Sequence, residues 1–149
     1  MKSLIGLVAV AMALAFGLPG PAWSLLDAPQ NVACELETDA IGEELAVTWG
    51  AVDGATKYSV DVIAGYEVDG VTQSVDFSFG TSDRTDGALI SAPFLNIALS
   101  DLAFTADGVT IFPSAASVSV KGLDSGGKVK KDKGAQNNPF SELVECSGF

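Results

Sequence analysis

From Val32 onward the chain alternates apolar and polar residues with a period of two. Val32, Cys34 and Leu36 alternate with Asn31, Ala33 and Glu35, and Leu45, Val47 and Trp49 with Glu44, Ala46 and Thr48. Tyr58, Val60 and Val62 alternate with Lys57, Ser59 and Asp61, and Val75, Phe77 and Phe79 with Ser74, Asp76 and Ser78. Leu95, Ile97 and Leu99 form a fifth apolar row, and Val118 and Val120 sit between Ser117, Ser119 and Lys121. Phe140, Val144 and Cys146 are expected on one face of a last strand. Alternate side chains of a strand point to opposite faces, so this periodicity predicts half-buried strands. Asp53-Gly54, Asp69-Gly70, Asp86-Gly87 and Asp107-Gly108 fall between the runs, and Asp-Gly favours tight turns because glycine tolerates positive φ. No run carries a sustained apolar stripe at helical spacing; Leu95 to Leu102 comes nearest. The expected fold is all-β, a seven-stranded antiparallel sandwich of two sheets.

The first 24 residues follow a different pattern. Lys2 precedes an uninterrupted apolar or small run from Leu4 to Leu18, then Pro19, Gly20 and Pro21, then Ala22-Trp23-Ser24. A basic start, a short apolar stretch and a small-x-small exit are the layout of a secretory signal peptide, with cleavage after Ser24 or Ala22. The apolar run is shorter than the roughly 20 residues of a membrane helix, so a cleaved signal is expected ahead of an uncleaved anchor. No cysteine stands close behind it for a lipid anchor. The domain reading is residues 1–24 as signal and 25–149 as one domain. A secreted or periplasmic protein without a stable membrane anchor follows.

The 149 residues carry 8 basic and 19 acidic side chains and no histidine. A pI near 4.1 argues against nucleic acid, which needs a basic surface. Lack of histidine removes the commonest general base and transition-metal ligand. With two cysteines besides, a tetrahedral zinc site is not expected. An even cysteine count in an exported chain favours a disulfide between Cys34 and Cys146, with free thiols or pairing between chains as alternatives.

The residues resemble a fibronectin type III domain. Ala28-Pro29-Gln30-Asn31-Val32 looks like the family's proline-led opening, and Val47 to Tyr58 matches its core tryptophan, apolar-Asp-Gly turn and tyrosine-led strand. Leu102 matches the leucine ahead of the sixth strand, Ser117 to Asp124 that strand, and Pro139-Phe140-Ser141 the start of the seventh. The resemblance spans about residues 28 to 146, with Trp49 to Tyr58 its specific part. Two departures stand out. Ala116 occupies the position where the family usually has a tyrosine whose hydroxyl bonds a nearby turn, and the stretch from Ala103 to Ser114 is longer than expected. A neighbouring immunoglobulin-like sandwich is the alternative.

Candidate chemistry is sparse. Trp49 and Tyr58 face inward and are expected to be structural core, not a ligand-stacking pair. Asp83, Asp86 and Asp107 lie in or beside turns that favour aspartate. Asp83-Arg84-Thr85-Asp86-Gly87 lacks the alternating acids and closing glutamate of a calcium loop. Asp124-Ser125-Gly126-Gly127-Lys128 lacks the spacing of a phosphate loop. No catalytic residue, metal site or cofactor is expected, and the chain reads as non-enzymatic. Lys128, Lys130, Lys131 and Lys133 concentrate basic charge in the loop 124–138, whereas residues 25–120 hold 15 acids and 2 bases. The expected role is a binding or structural module contacting an unknown protein or glycan through its loops. The alternative is a self-assembling subunit that docks this basic loop on an acidic face of another copy.

Overall fold

The computed structural model describes residues 25–80, 90–123 and 138–149. Strands among them follow in chain order as β1 (Ala33–Thr38), β2 (Glu43–Thr48), β3 (Lys57–Val68), β4 (Val71–Phe79), β5 (Phe94–Ala98), β6 (Phe104–Ala106), β7 (Val109–Ile111), β8 (Ala115–Leu123) and β9 (Val144–Glu145). The described chain is all-β except for a 3-10 turn at Leu99–Leu102. One antiparallel sheet has the order β1-β2-β5, a second the order β4-β3-β8-β9, and β6 and β7 pair as a separate hairpin.

Period-two patterning sets which faces meet. Leu45 and Val47 of β2, Val60 and Val62 of β3, and Val118 and Val120 of β8 are fully buried. With Cys34 and Ile97 they form one cluster drawn from both sheets, and hydrophobic burial holds the sheets face to face. Trp49 and Tyr58 meet edge to face in this core, with ring centroids 5.2 Å apart.

Two Asp-Gly pairs make the tight hairpins that their sequence predicts. Val68 pairs with Val71 across Asp69-Gly70, and Ala106 with Val109 across Asp107-Gly108. Both residues of each loop have positive φ, 52° and 77° in either case. Positive φ at both central positions is the primed turn that matches strand twist. The second hairpin fills most of the stretch from Ala103 to Ser114.

A tyrosine on β3 holds the 3-10 turn at Leu99–Leu102. Tyr66 on β3 is fully buried, and its hydroxyl donates to the carbonyl of Leu102. Its ring meets Phe104 edge-on at 4.6 Å, so β6 packs against the far end of β3. Burial pushes the phenol pKa above its ordinary value, since the charged form is disfavoured out of water.

Two expectations change. Phe140 does not share the inward face of Val144 and Cys146; it is 37% exposed, with the Lys121 ammonium 4.7 Å from its ring centroid. Beside it the amide of Val120 donates to Ser141 Oγ at 2.9 Å, so a side chain takes the acceptor role of a backbone carbonyl. β9 is confined to Val144–Glu145, and strict alternation does not reach back to Phe140. In β4 the apolar row emerges from the core: Phe77 and Phe79 pack against it, but Val75 and Val71 are exposed.

The β1 and β9 margins are joined. Cys34 and Cys146 form a disulfide with a Cα separation of 4.6 Å. Beside it the Leu36 amide donates to the Ser147 carbonyl at 2.8 Å, and the Ser147 amide to the Cys34 carbonyl at 3.1 Å. Gly148 is held at φ +96° where an added Cβ would lie 2.9 Å from the Leu36 carbonyl oxygen, which makes that position depend on glycine.

Candidate binding groove at one end of the sandwich

Four chain segments converge at the end where β1 turns into β2. Asp39 fixes the turn: its Oδ1 accepts from the amides of Ile41 at 2.7 Å and Gly42 at 3.0 Å, and its own amide donates to the Gly42 carbonyl at 3.0 Å. Aspartate side chains stabilise turns in this way. The result is an ordered tip that holds Ile41 in solvent, 97% exposed. Opposite the tip stand Leu99 and Ser100 of the 3-10 turn and the segment Phe112-Pro113-Ser114. Ser114 is tied to the end of β3, its amide donating to the Gly65 carbonyl at 2.8 Å.

These segments enclose a groove of about 810 Å³, within the size range of ligand pockets. Leu36, Leu99, Phe112 and Phe149 supply apolar lining, and Asp39, Glu43 and Glu44 supply carboxylates; among the described residues no lysine or arginine lines it. Phe112 and Phe149 are about half exposed. Apolar surface beside these carboxylates suits a ligand that is partly apolar and carries positive charge. Among the described residues, no group of three or more histidine, cysteine, aspartate or glutamate side chains is placed to hold a metal ion.

No protein-family model, curated protein or solved structure matches the chain. The site therefore stands on its own geometry.

The described sequence-predicted residues are not at this groove. Trp49 and Tyr58 are buried at 6% and 3% exposure, and the Tyr58 hydroxyl accepts from the Val52 amide at 3.0 Å, which ties the core to the Asp53-Gly54 turn. Asp107 serves its hairpin turn. Asp83, Asp86, Lys128, Lys130, Lys131 and Lys133, the phosphate-loop lookalike at 124–128 and the signal segment 1–24 lie outside the described residues.

Sequence reasoning missed Ile41, Phe112 and Asn138. A bulky apolar residue inside the Asp39-Ala40-Ile41-Gly42 turn was a local signal for Ile41, because turn tips are ordinarily polar. Phe112 gains meaning only once the groove assembles. Asn138 is buried and satisfied at both ends of its amide: Oδ1 accepts from the Leu26 amide at 3.0 Å, and Nδ2 donates to the Gly122 carbonyl at 2.8 Å. It clips the start of the described chain to β8, a role for which only the long-range contact is informative.

Proposed function

We propose that the mature chain is an exported, non-enzymatic binding module of fibronectin type III-like fold that contacts a protein or glycan partner through its loops. The fold reading is supported by seven strands divided between a three-stranded and a four-stranded antiparallel sheet, the Trp49–Tyr58 core pair and a cysteine pair closed into a disulfide. Disulfides persist in oxidising compartments, which agrees with a secreted or periplasmic location. The observation that carries the functional reading is the groove: a hydrogen-bonded turn that presents Ile41 to solvent beside Phe112 and three carboxylates.

The test is selection of a random peptide library and a glycan array against the immobilised mature protein, repeated with Ile41→Glu and Phe112→Ser. Both substitutions alter exposed side chains, so folding is retained. Binders that weaken about tenfold or more on either variant (about 1.4 kcal/mol) support the groove. Binders indifferent to both, or none at all, overturn it. Mass spectrometry of the exported chain checks the signal: a start at Leu25 or Trp23 is expected, and a chain that keeps Met1 refutes cleavage.

A second reading has its own support. β8 runs from Ala115, next to the groove residue Ser114, to Leu123, which pairs with Lys57 at the start of β3. Leu123, which the basic segment 124–138 follows in sequence, thus stands at the opposite end of the sandwich from the acidic groove. A copy docking its Lys128, Lys130, Lys131 and Lys133 on the next copy's acidic face forms a head-to-tail chain, which extends unless its rotation closes. Salt screens such a contact, so its assemblies dissolve as ionic strength rises and upon neutralising those four lysines.

A further inference from the structure

We infer that β4 is a self-pairing edge: two copies of this chain join antiparallel through their β4 strands into one continuous sheet. The inference is independent of the groove and of the basic loop.

β4 is nine residues long and, among the described strands, stands at the margin of its sheet, with β3 as its neighbour. Its register with β3 runs without a bulge from Val60–Phe79 to Val68–Val71. Both faces of Val71 to Asp76 are exposed. Sheet edges are ordinarily guarded by lysine, proline, bulges or shortness. β4 has none of these and carries a single charge, Asp76.

Hairpin geometry says which backbone groups are on offer. A two-residue turn leaves its flanking pair, Val68 and Val71, exchanging both hydrogen bonds. By alternation Gln73 and Val75 also bond to β3, while Thr72, Ser74 and Asp76 aim N–H and C=O outward. Two bonds elsewhere on β3 fit this parity. The Gly65 carbonyl, opposite Ser74, accepts from Ser114 on the β8 side, and the Tyr58 amide donates to the Ile90 carbonyl on the β4 side.

A second copy suits this edge because the strand complements itself. With a two-fold axis at Ser74, Thr72 faces the partner's Asp76, so the carboxylates are not opposed. On the other face Val71 lies opposite the partner's Phe77, and Gln73 opposite the partner's Val75. Exposed Val71 and Val75 then gain apolar neighbours, and outward-facing backbone groups pair in register. Each copy is strongly acidic, so salt favours this dimer by screening repulsion, opposite to the loop-docked assembly.

The test is sedimentation of the mature protein from about 10 µM to 1 mM, since dimerisation follows mass action, at about 20 and 500 mM salt. Residue-resolved amide exchange accompanies it. The expected result is a dimer that tightens with salt, with concentration-dependent protection at Thr72, Ser74 and Asp76 and none gained at Gln73 or Val75. Ser74→Pro removes one outward donor without touching the β3 ladder and should weaken the dimer about tenfold or more (about 1.4 kcal/mol). Ser74→Asp provides a second variant that keeps every backbone donor, sets a carboxylate opposite its own copy across the axis, and should also weaken it. A monomer throughout, a dimer indifferent to both variants, or protection without the alternating pattern overturns the inference. A dimer that dissolves with salt and with neutralised loop lysines also overturns it and supports loop docking.

Discussion

At one margin of the sandwich β1 and β9 are tied across the two sheets by the Cys34–Cys146 bond and by reciprocal backbone bonds around Leu36 and Ser147. At the other margin, among the described residues, β4 ends its sheet and β5 ends the facing one, with no pairing between them. Both margins face the same physical demand, that strand edges find partners or be protected. The first meets it within the chain, by covalent and backbone closure. The second leaves Thr72, Ser74 and Asp76 with outward backbone groups on a strand of low charge. Stability is concentrated where the chain closes on itself, and capacity for association where it does not.

Removing the closure should have the largest effect. Cys34 and Cys146 are 112 residues apart in sequence, and chain-entropy arguments assign a bridge over so long a loop roughly 4–5 kcal/mol. The double substitution Cys34→Ala and Cys146→Ala is expected to lower urea-derived stability by about 3–5 kcal/mol, after allowing for residual unfolded structure. The open margin should be unaffected in the folded fraction, so amide exchange in β4 should keep its alternation. A loss below about 1 kcal/mol would place the stabilising closure elsewhere.

At the open margin, adjacent substitutions should differ sharply. Gln73 bonds inward to β3 and Ser74 outward, so Gln73→Pro breaks the intramolecular ladder whereas Ser74→Pro leaves it whole. Thermal and urea unfolding of dilute protein should give a cost of about 1–3 kcal/mol for Gln73→Pro, from a lost bond and an orphaned carbonyl on β3. Ser74→Pro should cost under about 0.5 kcal/mol. Equal costs would mean that β4 is not free on its outer side.

Reading the sequence recovered the strands better than their surroundings. The Val60/Val62 and Val118/Val120 rows declared their buried faces because alternation is a local property. Asp69-Gly70 and Asp107-Gly108 announced hairpins because their turns need positive φ. The β6–β7 hairpin was harder: Phe104 to Ile111 is brief, and its packing depends on Tyr66 from 38 positions earlier. The groove was invisible for a related reason. Ile41, Leu99, Phe112 and Phe149 are far apart in sequence, and their proximity is a product of the fold. The emergence of Val71 and Val75 into solvent was also hidden, since period two marks a face but not whether another layer covers it.

Tyr66 yields the last of these effects and limits how loose the open margin is. It sits beside the exposed end of β4, opposite Gln73, and anchors β3 inward by donating to Leu102. Tyr66→Phe retains the ring but removes the donor, and should cost about 1 kcal/mol at neutral pH. The cost should depend on pH. An unfolded tyrosine ionises near pH 10, about the ordinary value, whereas burial raises the folded pKa above it. The stabilising contribution is therefore complete below about pH 10 and declines as pH rises toward the folded pKa, by up to about 1.4 kcal/mol per pH unit. Phenylalanine has no such linkage, so urea titrations at about pH 8 and 11 should show the wild-type advantage shrinking or reversing at the higher value. A gap that stays constant would mean that the Tyr66 hydroxyl reaches water in the folded state, and the open margin would then be looser than the Leu102 contact implies.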